Sequence, residues 1–132
     1  MKYLISTVLP ILLAGIWINI CEFARNELLL KSEWNEHFSA LGLVFPSAPL
    51  NVAIWVIWGF SLAAAILVIS RKFSMAGTVI LSWLMAFLMM WLVTWNLEVL
   101  PVGILWVAVP FSLLEVLITS LIVRKLQPSQ SE

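Results

Sequence analysis

One acidic residue lies deep inside an apolar run and is the first candidate for chemistry. Glu115 stands near the middle of residues 102–123, a segment long enough to cross a bilayer. About nine residues, roughly 13 Å of helix, separate it from Arg124, which is too far for a carboxylate to reach the surface. Because no Lys or Arg lies in the core of an apolar span, the sequence predicts no internal ion pair for Glu115. An isolated carboxyl in hydrocarbon favours its protonated form.

The spacing around Glu115 places small and polar residues on one helix face. Ala108, Ser112, Glu115 and Thr119 follow one another at steps of four, three and four. One hypothesis is a functional site in which Ser112 and Thr119 are hydrogen-bond partners of Glu115. The alternative is a structural contact, in which a protonated Glu115 is hydrogen-bonded across a helix interface.

A second polar group lies at the end of the first apolar run. Asn19, Glu22 and Asn26 share a face with Gly15 if the first helix continues past the interface, and Arg25 is adjacent. As a functional site, Asn19, Glu22 and Arg25 would bind a polar headgroup entering from the outer side. As an ordinary i,i+3 ion pair at the membrane boundary, Glu22 and Arg25 would contribute little energy.

The tryptophans are concentrated toward one side of the predicted spans. An interfacial aromatic belt explains such residues, although a belt normally forms at both faces. The alternative is an outer vestibule walled by aromatic rings and suited to a lipid headgroup, a ring, a sugar or a cation. The candidate vestibule residues are Trp17, Trp55, Trp58, Trp91 and Trp106.

Several kinds of site are disfavoured by the residues present. Glu33 and His37 are spaced i,i+4, but two ligands do not complete a metal site, so a solvated helix face is the better interpretation. Cys21 is the single cysteine, which excludes an internal disulfide and a cysteine-pair redox motif. Phosphate-binding glycine loops and basic blocks are absent from the sequence, so no cofactor and no nucleic acid are predicted.

Composition indicates the environment in which these residues must be positioned. The chain has 132 residues, of which 63% are hydrophobic and 11% are charged, too few charges to coat a soluble domain. The sequence predicts an all-α integral membrane protein, a single antiparallel bundle of four transmembrane helices. The predicted segments are spans at about residues 3–21, 52–70, 78–95 and 102–123, a partly helical outer connection at 22–51 and a disordered tail at 126–132.

Two local patterns predict how these helices meet. Pro10 lacks an N–H and leaves the carbonyl of Ser6 free, so a kink or a partner is expected there. Gly59 and Ala63 are four residues apart, the spacing of small residues that lets membrane helices approach closely.

The charges that flank the spans predict the orientation. Lys2, Arg71-Lys72 and Arg124-Lys125 would lie on one side of four alternating helices, whereas five acids would lie on the other. By the positive-inside rule, both termini are expected to be cytoplasmic. A bacterial inner membrane is the expected location. The five acids are Glu22, Glu27, Glu33, Glu36 and Glu98.

Three functions are compatible with these features. The favoured hypothesis is a membrane protein that binds or transports a small or lipidic ligand through the aromatic vestibule and the Glu115 carboxyl. The alternative is a non-catalytic scaffold subunit whose Gly59, Ala63 and Glu115 faces meet partner helices. An intramembrane enzyme acting on a lipid has the least support, because few catalytic side-chain types are present. Membrane lipid, a second copy of the chain or another membrane protein are the expected partners.

Overall fold

The computed structural model describes Met1 and residues 3–127 and contains only helices as regular elements in that part. Four of the helices are long and apolar enough to cross a membrane. This confirms the predicted all-helical protein with four candidate spans. The helices are α1 (Leu4–Leu29), α2 (Lys31–Ala40), α3 (Pro49–Ser70), α4 (Met75–Asn96) and α5 (Val102–Leu126). Lys2 and the predicted tail from residue 128 onward lie outside the described residues.

The first helix is longer than the sequence predicts. It passes Cys21, where the predicted span ends, and continues to Leu29. Its last turn, Ala24–Leu29, is π-helical, and the chain leaves helical geometry at Leu30 (φ −118°). Glu, Arg and Leu are good helix formers, which explains why the helix does not stop at the apolar boundary. As a result, Glu22 and Arg25 belong to α1 rather than to a connecting loop.

Pro10 has the consequence that was predicted for it. The freed carbonyl of Ser6 accepts a hydrogen bond from Arg71 Nη2 at 3.1 Å, and the same nitrogen donates to Thr7 Oγ1 at 3.1 Å. The start of α1 therefore lies beside the end of α3, and the orphan carbonyl has a partner, as a membrane segment requires.

The α1 and α3 helices approach closely at two glycines. A Cβ atom on Gly59 would lie 2.6 Å from Asn19 Nδ2, and one on Gly15 would collide with the Phe60 ring. Asn19 Nδ2 donates to the Gly15 carbonyl at 2.8 Å and reaches the Val56 carbonyl at 3.4 Å. The close approach predicted from the spacing of small residues therefore occurs between α1 and α3.

The connection between α1 and α3 is folded against the bundle by α2. Trp34, Phe38 and Phe45 form an aromatic cluster with ring centroids 5.2–6.2 Å apart. His37 Nε2 lies 2.8 Å from the carbonyl oxygen of Glu98, in the turn between α4 and α5. We call this side of the molecule the α2 end.

A basic side chain joins three helices away from the α2 end. Arg124 Nη2 of α5 donates to the Phe73 carbonyl, to the Ser70 carbonyl at 3.3 Å and to Thr78 Oγ1 at 3.2 Å. It therefore caps the last carbonyl of α3, bonds the connection that follows and contacts the first turn of α4. We call this side the Arg124 end.

Candidate functional site

Two buried carboxylates share one guanidinium between α1 and α5. Arg25 Nη1 donates to Glu115 Oε2 at 2.8 Å, and Arg25 Nη2 donates to Glu22 Oε1. The three residues are nearly inaccessible, with exposed fractions of 6% for Glu22, 3% for Arg25 and 1% for Glu115. We call these three residues the charge cluster. The prediction that Glu115 has no internal ion pair is wrong, because α1 continues far enough to bring Arg25 into the bundle.

Two irregular helical turns hold the guanidinium against aromatic rings. Arg25 lies in the π-helical turn of α1, and Phe87 lies in a second π-helical turn, Leu84–Leu88, inside α4. The Arg25 Cζ atom is 5.0 Å from the Phe87 ring centroid and 5.9 Å from that of Phe111. Both distances are within the range of cation–π contact, so these rings replace part of the lost hydration of the guanidinium. π-Helical turns inside α-helices frequently occur at functional sites.

Hydrogen bonds connect the charge cluster to the α2 end. Asn26 Nδ2 donates to Glu22 Oε2 at 3.1 Å, so both oxygens of Glu22 accept a bond. Trp34 Nε1 of α2 then donates to Asn26 Oδ1 at 3.2 Å. If α2 moves, Asn26 loses its bond from Trp34, and Asn26 is also the residue that bonds Glu22 of the cluster.

Glu115 is bonded through its main chain as well as its side chain. Its carbonyl oxygen accepts from Thr119 Oγ1 at 2.7 Å and from Trp17 Nε1 at 3.2 Å. Its side-chain Oε2 accepts from Arg25, whereas Oε1 is buried and has no hydrogen-bond partner among the described residues. Oε1 therefore accepts no bond from a described donor and can hold a proton.

The predicted partners of Glu115 have different roles in the structure. Ser112 and Thr119 are fully buried on the same face as Glu115, as the spacing predicts. Thr119 bonds the main chain of Glu115 rather than its carboxyl. Ser112 Oγ accepts from Trp83 Nε1 at 2.9 Å and donates to the Val109 carbonyl. Trp83, which was not predicted as a site residue, therefore contacts the α5 face beside Glu115.

Three of the predicted vestibule tryptophans belong to one chain of contacting rings. Successive centroids are 5.7–6.0 Å apart, and the Phe87 ring of this chain is the one that contacts Arg25. Because the rings contact each other in this way, they fill the space between α3 and α4 rather than line an open vestibule. We call this set the aromatic row, which consists of Trp55, Trp58, Phe87, Trp91 and Trp83.

The other two predicted tryptophans are not part of the aromatic row. Trp106 is 89% exposed on the outer face of α5, and its place in a vestibule stays a prediction. An exposed tryptophan near a helix end is typical of the membrane interface, the alternative that the sequence left open. Trp17 is half-buried and instead bonds the main chain of Glu115.

Asn19 also lies apart from the charge cluster. It faces a shallow groove of about 340 Å³ between α1 and α3, which is lined chiefly by apolar side chains. Its amide is used to join α1 to α3, as described above. The predicted polar stripe is therefore divided: Glu22, Arg25 and Asn26 form the cluster and its link to α2, whereas Asn19 supports helix contact.

The charges of the cluster do not balance if every group is ionised. Two carboxylates and one guanidinium leave one excess negative charge in a site from which water is excluded. An uncompensated buried charge costs several kcal/mol, about 3–5 kcal/mol where one partner of a buried pair is removed. The excess charge is therefore neutralised, either by a proton on one carboxyl or by a bound cation. Such a site can exchange protons. Its three side chains do not indicate nucleophilic catalysis.

The contacts that sequence reasoning missed had different degrees of signal. The position of Arg25 within α1 could have been predicted, because residues 22–27 keep helix propensity. Phe87, Phe111 and Trp83 had no distinguishing signal, since they lie in uniformly apolar runs. Their contribution depends on how α1, α4 and α5 meet.

The fold and the cluster define a class of protein but not a family. Four helices of this length and composition indicate a multi-pass helical membrane protein. Comparisons with protein-family models, with curated proteins and with solved structures find no significant match.

Proposed function

We propose that the protein binds and transports a small ligand in the membrane, and that the charge cluster exchanges a proton for this ligand. The observation that supports this most is the unequal charge of Glu22, Arg25 and Glu115 at nearly complete burial. Ionisable groups inside a membrane domain are costly, so their presence favours a functional role. A site that needs one proton for neutrality can release that proton when a ligand enters.

The surroundings of the cluster support a transport role over a static one. The free Oε1 of Glu115 provides an acceptor that no described residue uses. The aromatic row leads from Trp55, which is 40% exposed, to Phe87 beside Arg25. The Asn26–Trp34 bond couples the cluster to α2, a short helix with no buried residue that can move more easily than a span. Together these contacts suggest an occluded site with a movable cover.

We also propose an orientation and a location. The antiparallel bundle would place Arg71 and Arg124 in the cytoplasm and α2 outside, because the positive-inside rule assigns Lys and Arg to the cytoplasmic side. The acids Glu27, Glu33 and Glu98 would then be external. Both termini would be cytoplasmic, in a bacterial inner membrane. The expected oligomer stays a prediction.

The scaffold alternative needs different surfaces from those that the sequence suggested. Gly59, Ala63 and Glu115 are buried within the chain, so their faces are covered by its own helices. A scaffold would have to use other residues for partner helices. Nothing in the cluster requires a partner chain, which favours the transport proposal.

The proposal is tested by following internal pH in proteoliposomes loaded with a pH-sensitive dye. Wild-type vesicles are exposed separately to guanidinium, benzoate and sucrose, a cationic, an anionic and a neutral probe, and the change in protein-free vesicles is subtracted because benzoic acid crosses lipid unaided. We expect at least one probe to change internal pH, and Glu115→Gln to abolish that change because the exchangeable proton is lost. Glu27→Gln is the matched control, since Glu27 of α1 is half-exposed and pairs with Lys31 of α2, outside the charge cluster.

Folding and flux must be separated in this test. Retention of Cys21 protection against a thiol-reactive dye shows that Glu115→Gln still folds, because Cys21 is buried in α1. Equal responses of wild-type and Glu115→Gln vesicles to all three probes would overturn the proposal.

A further inference from the structure

The charge cluster restricts the kind of ligand that can replace its proton. We infer that the ligand is a monovalent organic cation and that it exchanges with one proton, an inference that rests on the proposed function. With one carboxyl protonated, the cluster is neutral. A monovalent cation that displaces this proton leaves two carboxylates, one guanidinium and one further positive charge, so the cluster is neutral again.

Other ligand classes disturb this balance. An anion would enter a site that already has two carboxyls and one guanidinium, and would leave an uncompensated negative charge unless it brought its own proton. A divalent cation would leave an excess positive charge. A neutral ligand gives no reason for the proton to leave. Only a monovalent cation keeps the buried cluster neutral both before and after the exchange.

Among residues 3–127, no other charged side chain bonds to the cluster. The α3 and α4 helices contain no Asp, Glu, Lys, Arg or His within their bounds, and Glu115 is the only such residue of α5 before its last turn. On the α1 side, the titratable groups near Glu115 are Glu22, Arg25 and the thiol of Cys21. The charge balance is therefore set by the three residues of the cluster.

The aromatic rings at the site favour a planar organic cation over a metal ion. The site already holds one such cation, because the Arg25 guanidinium lies within 5.0 Å and 5.9 Å of the Phe87 and Phe111 ring centroids. Aromatic faces bind delocalised, weakly hydrated cations well, and a guanidinium matches the fork of a carboxylate. A ligand of this type can use Glu115 Oε1, the oxygen that Arg25 leaves free. Guanidinium itself is the simplest probe of the class.

Binding calorimetry tests the inference on the full-length protein in detergent. Guanidinium chloride is titrated at one pH in two buffers of different ionisation enthalpy, and the difference in heat gives the number of protons released per cation. We expect one proton per guanidinium. Glu115→Gln should bind about tenfold or more weakly, because a charge-assisted hydrogen bond is lost, and should release no proton. Glu27→Gln should behave as the wild type.

Vesicle measurements complete the test and separate the two proposals. External guanidinium should raise internal pH at a rate that does not change when valinomycin and potassium clamp the membrane potential, since the exchange is electroneutral. A potential-dependent rate, or a proton count of zero, would overturn the inference. Exchange with sodium but not guanidinium would overturn the organic-cation class. If benzoate or sucrose alone gives a Glu115-dependent pH change, the cation inference fails and the proposed function stands. If no probe does so, both fail.

Discussion

Replacement of Arg25 by methionine tests whether charge balance, rather than shape, holds the cluster together. Methionine keeps an unbranched apolar side chain but removes both charge-assisted bonds, to Glu22 and to Glu115. It also removes the cation–π contacts with Phe87 and Phe111. Two buried carboxyls then have no positive partner. Breaking a buried pair in this way costs about 3–5 kcal/mol, and we expect Arg25→Met to lower the free energy of unfolding by that amount.

Removal of the whole cluster should cost much less than removal of Arg25 alone. In the triple variant Glu22→Met, Arg25→Met and Glu115→Met, no charge is buried. Replacement of a complete buried ion cluster by hydrophobic residues of similar volume is often near neutral or stabilising, so we expect the triple variant to lie within about 1 kcal/mol of the wild type or above it. Lys31→Met is the control. Its pair with Glu27 is exposed, so the loss should be about 0–1 kcal/mol.

The free energy of unfolding can be measured by equilibrium titration with a denaturing detergent in mixed micelles. Reactivity of Cys21 reports unfolding, since it is buried and is the single cysteine of the chain. A loss of less than about 1 kcal/mol for Arg25→Met, or a triple variant as unstable as the single one, would refute the charge-balance argument.

Two further predictions concern the helices that position the cluster. Gly59→Ala should lower the free energy of unfolding by about 1–3 kcal/mol, because its Cβ would meet Asn19 at 2.6 Å, whereas Gly103→Ala, with open space around the added Cβ, should change it by less than about 0.5 kcal/mol. Equal losses in the same detergent titration would show that α1 and α3 are not closely packed at Gly59. His37→Ala should remove one hydrogen bond, worth about 1 kcal/mol, from α2 to Glu98 and accelerate amide exchange of α2 about fivefold, with exposed Glu36→Ala as the control. Unchanged exchange, measured by mass spectrometry, would remove His37 as the attachment of α2.

Much of the fold could be predicted from the sequence because lipid imposes simple rules. Uninterrupted apolar runs identify the four spans, and the free carbonyl before Pro10 correctly predicts a partner, which is Arg71. The end of α1 could not be placed by hydropathy alone. The helix continues through Glu22 and Arg25 because their charges are satisfied in the bundle, a fact that depends on α5.

Part of the site could also be predicted, because polar residues are conspicuous in apolar runs. Glu115 was identified as a candidate because a carboxyl in an apolar run is conspicuous, and Glu22 and Arg25 because of their polarity. What could not be predicted is that these three residues meet, since 90 positions separate Arg25 from Glu115. The tryptophans show the same limit. The position of a residue along a helix gives its depth in the membrane but not the direction in which its side chain points. Trp91 faces the inside of the protein and is buried, whereas Trp106 faces outward and is exposed.

The measurement that bears most directly on the central claim is the change of internal pH in paired proteoliposomes of wild type, Glu115→Gln and Glu27→Gln. Each set receives the same guanidinium, benzoate and sucrose probes. If the buried cluster exchanges its proton for a ligand, the wild type and Glu27→Gln should respond to the same probe, and Glu115→Gln should not respond while Cys21 remains protected. Responses that are equal in all three sets of vesicles would contradict the claim.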